Sequence, residues 1–286
     1  MEVIQAIILG IVQGLSEFLP ISSSAHIVFT SNIYSVLTGT SLAVDTSRQA
    51  FLSIMLHFGT LVAIFIYFRK ELLDIIKAFF KATYKKDFSD VNAMLGVYIL
   101  IGTVFTVAIA YPLKDITEKL LIYPQIVAVL LIFTGIILFF SEFKSKHIKE
   151  HTEKLDYKKA ILIGVAQGLA VFPGFSRSGW TIAAGLFSGM DRVTSTKFSF
   201  LLVAPIILGT SIFYPIFEIN PSELVNYNWL AIILGTLTSG VVGYFCIKYF
   251  LKFVARFSMN FLAYYCIIAG LLVIAFFTGI YYGSNL

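Results

Sequence analysis

The sequence predicts an all-α polytopic membrane protein built as an inverted-topology repeat, and three observations carry that reading. The 286 residues are 58% hydrophobic and only 13% charged, with a mean hydropathy of +0.87. Apolar runs of about 18 residues or more recur along the chain, the length a membrane helix needs. The chain also repeats itself. At one fixed shift, Gly10-x-x-Gln13-Gly14-Leu15-x-x-Phe18 falls on Gly164-x-x-Gln167-Gly168-Leu169-x-x-Phe172, and Ser22 and Ser24 fall on Ser176 and Ser178. Self-similarity at a fixed offset is the sequence signature of a repeated architecture.

In chain order, residues 1–19 and about 22–38 are two short apolar pieces around Pro20. Neither is long enough for a comfortable span, so a re-entrant hairpin is expected. A polar stretch with Asp45 and Arg48 leads to a full span at 51–68, which contains His57. Residues 69–90 form a lysine-rich connection. Its part from Glu71 to Phe80 is amphipathic and suits the membrane surface. Spans at about 93–113 and 123–141 follow, joined by a loop with Lys114, Asp115, Glu118 and Lys119, and a polar stretch occupies 142–159.

The second half repeats this plan. Short apolar pieces at 160–172 and 178–190 flank Pro173-Gly174, and spans follow at about 196–217, 229–247 and 260–282. Repeat 1 thus covers about 1–145 and repeat 2 about 155–286, within one membrane domain. Each repeat holds a hairpin and three spans. Three is odd, so the second copy is inverted relative to the first, and the two breaks are expected to meet near mid-membrane. Loop lysines place 69–90, 142–159 and 248–256 inside and both termini outside.

Charge and cysteine content exclude other classes. The formal net charge of +5 comes from basic residues in connecting loops, so it signals orientation and not nucleic-acid binding. No cleaved signal peptide is expected, because a basic n-region and a small-residue cleavage site are lacking. Cys246 and Cys266 lie in apolar runs without metal-thiolate spacing and are expected to pack. Gly235, Gly240 and Gly243 suit close helix packing.

Chemistry concentrates at the breaks. Gln13-Gly14-Leu15-Ser16-Glu17-Phe18-Leu19-Pro20-Ile21-Ser22-Ser23-Ser24-Ala25-His26 brings a carboxylate, hydroxyls and an imidazole into an apolar region. Glu17 is expected to be the one acidic group inside a long apolar segment, and an ionisable residue there marks a functional site by default. In the second copy Val171 replaces Glu17, Arg177 replaces Ser23 and Trp180 replaces His26. Brought together, the breaks form one asymmetric site suited to a phosphate ester or diphosphate. Helix N-termini offer amides and positive dipole ends to phosphate, and Arg177 suits bidentate phosphate binding. Glu17 with Gln13 suits a divalent cation, Mg2+ or Ca2+, bridging the phosphates. Ser23 and His26 are the candidate nucleophile and general acid/base, in either order. Ser22, Ser24, Gly174, Ser176 and Ser178 are expected to contact substrate, and the apolar walls suit a lipid tail. Each residue also has a plainer reading: hydroxyls satisfying freed backbone groups at the break, an intramembrane Glu or Arg paired for structure, His57 as a packing or polar-network residue.

At these residues the chain resembles the undecaprenyl-diphosphate phosphatase family, the bacitracin-resistance proteins. The resemblance rests on GxxQGLSEFLPISSSAH in the first half and on QGLAVFPGFSRSG with FSFLLVAPIILG in the second, and it runs the whole length. It implies a multi-pass enzyme of the bacterial inner membrane that removes one phosphate from undecaprenyl diphosphate, recycling the lipid carrier for cell-wall synthesis. It also implies a divalent cation and an active site open to the outer face. By position, the acid is Glu17, the hydroxyl Ser23 with Ser22 and Ser24 beside it, the imidazole His26, and the diphosphate-binding arginine Arg177 next to Ser176. Two residues depart from the family pattern. Gln13 stands where many relatives have glutamate, and Ala25 where many have glycine, so a positive φ is not expected at 25. Partners are the polyprenyl diphosphate and membrane lipids; monomer and homodimer both stay open. The rival class is a transporter that moves a polyprenyl phosphate without cleaving it, since inverted repeats with broken helices are common among secondary transporters.

Overall fold

A computed structural model describes residues 3–38, 46–148, 151–218 and 227–283. Within them the chain forms twelve α-helices and no strand: α1 Val3–Ser16, α2 Ser23–Thr38, α3 Thr46–Tyr67, α4 Arg69–Lys85, α5 Val91–Ala110, α6 Lys114–Leu120, α7 Pro124–Lys146, α8 Tyr157–Leu169, α9 Arg177–Phe187, α10 Arg192–Phe217, α11 Trp229–Val254 and α12 Asn260–Gly283. Six helical stretches are long and apolar enough to cross a membrane: 50–67, 91–120, 124–146, 192–217, 229–254 and 260–279. Many of their outward side chains are large, apolar and exposed, among them Leu237, Val241, Phe261 and Leu272. Lipid, not water, suits such a surface.

Both expected breaks are present. Ahead of Pro20 the chain leaves α1, and α2 begins at Ser23. Ser22 takes the left-handed φ of +69° and its hydroxyl accepts from the Ala25 N–H at 3.3 Å, capping α2. The left-handed residue therefore stands at 22, and Ala25 lies within α2, fully buried. At the second break Gly174 has φ +104°, and Ser176 caps α9 by accepting from the Gly179 N–H at 3.1 Å. The two caps occupy equivalent places in the repeat.

Matching glycines set matching contacts. A Cβ on Gly10 of α1 would stand 2.5 Å from the Gly235 carbonyl oxygen of α11; one on Gly164 of α8 would stand 2.5 Å from that of Gly102 of α5. Backbone thus lies directly on backbone in both places, and a methyl group there forces the helices apart. Gly240 lies against the Gly59 backbone and Gly243 against the Phe18 ring, each leaving a Cβ only 3.0 Å of room, so these glycines serve packing. Cys246 and Cys266 are buried and free; their thiols donate to the carbonyls of Leu15 and Pro20, tying α11 and α12 to the first break.

Several boundaries and one charge differ from the sequence reading. The 114–119 connection is itself helical, and α11 runs through Lys248 and Lys252 to Val254. The amphipathic segment is longer than Glu71–Phe80. It packs Ile75 and Phe79 of α4 against Gly96 of α5 and exposes Leu73, Ile76, Phe80 and Tyr84. Glu17 is not the one acid inside an apolar helix. Glu142 is fully buried in α7, which continues past 141 because Arg192 neutralises that carboxylate with two hydrogen bonds of 2.8 and 2.7 Å. Asp45, the Arg48 side chain and Glu223 lie outside what the structure describes.

Candidate active site

Glu17 leaves the end of α1 still in helical register, its N–H donating to the Gln13 carbonyl at 2.9 Å. Four residues apart on one face, Gln13 Nε2 donates to Glu17 Oε2 at 2.9 Å. Ser23, first residue of α2, donates its hydroxyl to the same Oε2 at 2.8 Å. Arg177, first residue of α9, forms an ion pair with Glu17 Oε1 through its Nη2. The acid of one break and the guanidinium of the other are therefore partners. The pairing has a physical reason: two opposite charges brought into an apolar interior are far less costly together than apart.

The breaks are also stitched by their hydroxyls. Ser24 Oγ accepts from the Gly174 N–H at 3.2 Å, and Ser178 Oγ donates to the Leu19 carbonyl at 3.1 Å. Ser22 and Ser24 hydroxyls stand 3.1 Å apart, and Ser176 and Ser178 hydroxyls 3.2 Å apart. Thr134 of α7 holds the second break from behind: it accepts from the Ser176 N–H at 3.0 Å and donates to the Gly174 carbonyl at 3.3 Å. Ser22, Ser176 and Ser178 are almost fully buried. Part of the hydroxyl set thus satisfies freed backbone groups, as the plainer reading expects.

A cavity of about 730 Å3 opens beside this cluster. Glu17, Ser23, Ser24, Ser176 and Arg177 line it at the breaks, and Ile206, Ile207 and Phe213 supply an apolar wall. Its lining reaches Tyr111, Lys114, Tyr214, Phe217 and Glu218, where α5 and α10 end. Lys114 Nζ and a Glu218 carboxylate oxygen meet there at 2.6 Å. The chamber is amphipathic, with a charged floor, apolar sides and a charged rim.

His57 and Tyr265 are two neighbours that sequence reasoning did not assign to the site. His57 of α3 lines the cavity, its Nε2 standing 3.5 Å from Glu17 Oε2. The only signal was a histidine inside an apolar span, read as packing or polar network. Tyr265 of α12 stacks on His26 and is 2.7 Å from its Nε2, while His26 Nδ1 lies 2.8 Å from the Ser22 carbonyl oxygen. A carbonyl accepts only, so the proton is on Nδ1 and Nε2 accepts from the tyrosine. His26 is therefore engaged away from Glu17 and does not line the cavity, whereas Ser23 does both.

Two oxygen donors beside the chamber suit a divalent cation. Glu17 offers a carboxylate, and Gln13 Oε1 is buried without a hydrogen-bond partner. Hard oxygen donors of this kind suit Mg2+ or Ca2+. Among the described residues no group of three His, Cys, Asp or Glu could hold an ion without other ligands. An ion here would need its remaining oxygens from substrate and water, which is how Mg2+ commonly binds phosphates.

A family model described as bacitracin resistance protein BacA matches residues 6–272. A protein of Halothermothrix orenii named undecaprenyl-diphosphatase is 38% identical over 274 residues, covering 96% of this chain and 98% of that protein. Undecaprenyl-diphosphatase 1 of Pseudoalteromonas translucida is 37% identical over 278 residues, covering 97% and 100%. One from Methanosphaera stadtmanae is 36% identical over 285 residues, covering 96% and 98%. With both breaks, their polar residues, five of the six apolar spans and the first half of the sixth inside the matched region, the chain belongs to the bacitracin resistance protein BacA family.

Proposed function

We propose that this multi-pass membrane protein hydrolyses undecaprenyl diphosphate to undecaprenyl phosphate and inorganic phosphate, recycling the lipid carrier for cell-wall synthesis. One observation carries the reading to particular residues. The acid of the first break, the serine that opens α2 and the arginine that opens α9 converge on one amphipathic chamber.

Arg177 binds the diphosphate, exchanging Glu17 for phosphate oxygens in a bidentate grip. The N-termini of α2 and α9 add positive dipole ends on the same side. Ser22, Ser24, Gly174, Ser176 and Ser178 hold the two breaks in register around it. Ser23 Oγ, aligned by Glu17, attacks the terminal phosphorus; its proton leaves along that hydrogen bond as the bond to the bridging oxygen breaks. Water then releases phosphate from the serine. The reverse assignment, attack by His26, requires the imidazole to leave Tyr265, so the geometry favours Ser23. Glu17 and Gln13 would hold a divalent cation, which when bound neutralises charge on the phosphates. Ile206, Ile207 and Phe213 shelter the first part of the prenyl tail.

We further propose that residues 1–145 and 155–286 are inverted copies within one domain, each with a re-entrant hairpin. The paired serine caps and the paired glycine contacts of α1 on α11 and α8 on α5 support this. With loop lysines inside, the Lys114–Glu218 rim faces outward, which supports a chamber open to the outer face of the inner membrane.

Phosphate release by the detergent-purified protein from undecaprenyl diphosphate tests the function, with and without chelator and beside Glu17→Ala and Arg177→Ala. Release that needs metal and disappears in both folded variants is expected. Binding of the lipid without release overturns hydrolysis in favour of movement across the bilayer, the use to which broken inverted repeats are put in transporters.

A further inference from the structure

We propose that His57 Nε2 is a ligand of the cation held by Glu17 and Gln13. This rests on the cation reading above and extends it to a residue on a third helix.

The argument starts from hydrogen positions. His57 Nδ1 lies 2.7 Å from the Ser53 carbonyl oxygen one turn earlier in α3. That oxygen can only accept, so Nδ1 carries a proton and Nε2 is the nitrogen left to meet an ion. Nε2 faces Glu17 Oε2 at 3.5 Å. A second proton on Nε2 would draw that pair together to about 2.7–2.9 Å, whereas a metal ion between the two atoms fits the longer separation. Arg177 does not take that place, because it engages the other carboxylate oxygen, Oε1. Two bonds of about 2.1 Å meeting at about 110° span this separation, within the range of metal–ligand geometry.

Gln13 supplies the second observation. It is fully buried, its Nε2 donates to Glu17 Oε2 at 2.9 Å, and its Oε1 has no hydrogen-bond partner. An amide is nearly symmetric in shape, so turning it over places Oε1 where Nε2 now lies. In that orientation an ion can take both Gln13 Oε1 and Glu17 Oε2 as ligands, and Gln13 Nε2 occupies the place Oε1 now has. The same ion thus fits the 3.5 Å separation at His57 and an amide oxygen turned toward Glu17. The Ser53 carbonyl behind the ring is the usual outer partner of a metal-bound histidine, fixing tautomer and orientation.

A nitrogen donor has a consequence for selectivity. Ca2+ prefers an all-oxygen shell, whereas imidazole suits first-row transition ions. With His57, the Glu17–Gln13 site favours Mn2+ over Ca2+ more than the two oxygen donors alone would.

Mn2+ bound to the detergent-purified full chain is the probe, read by electron spin-echo modulation from directly bound 14N. The expected result is nitrogen modulation in the unaltered chain that survives His26→Gln and vanishes in His57→Gln. Mn2+ binding should weaken by at least about 10–100-fold in His57→Gln, the loss that removing even an outer partner of a ligand brings, with Ca2+ binding changed less. Bound Mn2+ without nitrogen modulation, or modulation that survives His57→Gln, removes His57 as a ligand and leaves the cation at Glu17 and Gln13. No Mn2+ bound at all overturns the cation reading itself, and this proposal with it. If His57→Gln does not fold, labelling the His26→Gln chain with 15N-histidine replaces it: the modulation must change to the 15N pattern, and an unchanged pattern refutes the proposal.

Discussion

Among the described residues, two carboxylate–arginine pairs lie within the apolar body of this molecule, and they are built differently. Glu142 of α7 meets Arg192 of α10 side-on, with both carboxylate oxygens used; Oε1 also accepts the Met259 N–H at 3.0 Å. Glu142 is fully buried and borders no cavity described above. Glu17 and Arg177 meet through one oxygen, beside a chamber, with a serine, an amide and an imidazole crowding the other. The first pair is saturated, and nothing remains for it to bind. The second is under-committed: one arginine contact can be exchanged for phosphate, and Gln13 Oε1 stays unpartnered. A buried ion pair is weak evidence of purpose by itself. The surplus of donor and acceptor capacity around it separates a site from a structural clamp.

The largest effects should divide along that line. Arg177→Ala and Glu17→Gln should each lower kcat/KM for undecaprenyl diphosphate by about 10²–10³-fold or more, the scale seen when a directed transition-state contact is lost, while thermal unfolding shows a folded protein. Glu142→Ala should do the opposite. It strands Arg192 and the Met259 N–H, at a cost of about 3–5 kcal/mol, so Tm falls steeply while the folded fraction keeps its kcat. A Glu142→Ala chain with native Tm and a collapsed kcat would move that pair into the catalytic machinery and erase the contrast.

A double replacement sharpens it. Glu142→Leu with Arg192→Met removes both charges of the saturated pair at once, and exchanging a buried pair for packed apolar groups is often neutral or stabilising by about 1–4 kcal/mol. Stability should return except for the cost of the Met259 N–H, about 1–3 kcal/mol, which still lacks its acceptor, and activity should return with it. The same exchange at Glu17 and Arg177 should leave a folded protein without phosphate release. Purified variants compared by melting and by phosphate assay give both readings.

A smaller effect is expected where the breaks are stitched. Ser24→Ala leaves the Gly174 N–H without its acceptor, a loss of about 1–3 kcal/mol for an unsatisfied buried donor. Since Gly174 precedes the arginine by three residues, KM should rise as well, because Arg177 is then less firmly placed. Melting and initial-rate kinetics on the same preparation check this; unchanged KM with lowered Tm would confine Ser24 to structure.

Much of this was legible in the residues, for identifiable reasons. Hydropathy runs and Pro20 mark helices and a break because apolar length and a missing N–H are local properties. The repeat places Arg177 opposite Ser23 because identical spacing implies identical local folding. The Glu17–Arg177 pairing was less legible: it depends on how two distant breaks dock, which no local pattern encodes. Glu142 was misplaced for the same reason. Alone it resembles the charged start of a loop, and its neutralisation by Arg192 lets α7 run on to Lys146. His57 is the clearest case, since a histidine in an apolar span has the same sequence signature whether it packs or faces a carboxylate.

The smallest effect belongs to a third pair, outside this contrast. Lys114 and Glu218 meet at 2.6 Å where α5 and α10 end, their side chains 41% and 47% exposed. Solvated pairs of this kind contribute at most about 1 kcal/mol, so Lys114→Met should barely move Tm. Its charge nevertheless stands on the rim of the chamber, where the proposed entry of the diphosphate would pass, and a cation there raises the local concentration of an anionic headgroup. Lys114→Met should therefore raise KM modestly and leave kcat alone, with the difference shrinking as salt rises. Glu218→Gln, which removes the repelling charge, should shift KM the other way. Equal KM values for the two variants at low salt would show that the headgroup does not enter past this rim, and the chamber's opening would then have to be sought between the helices.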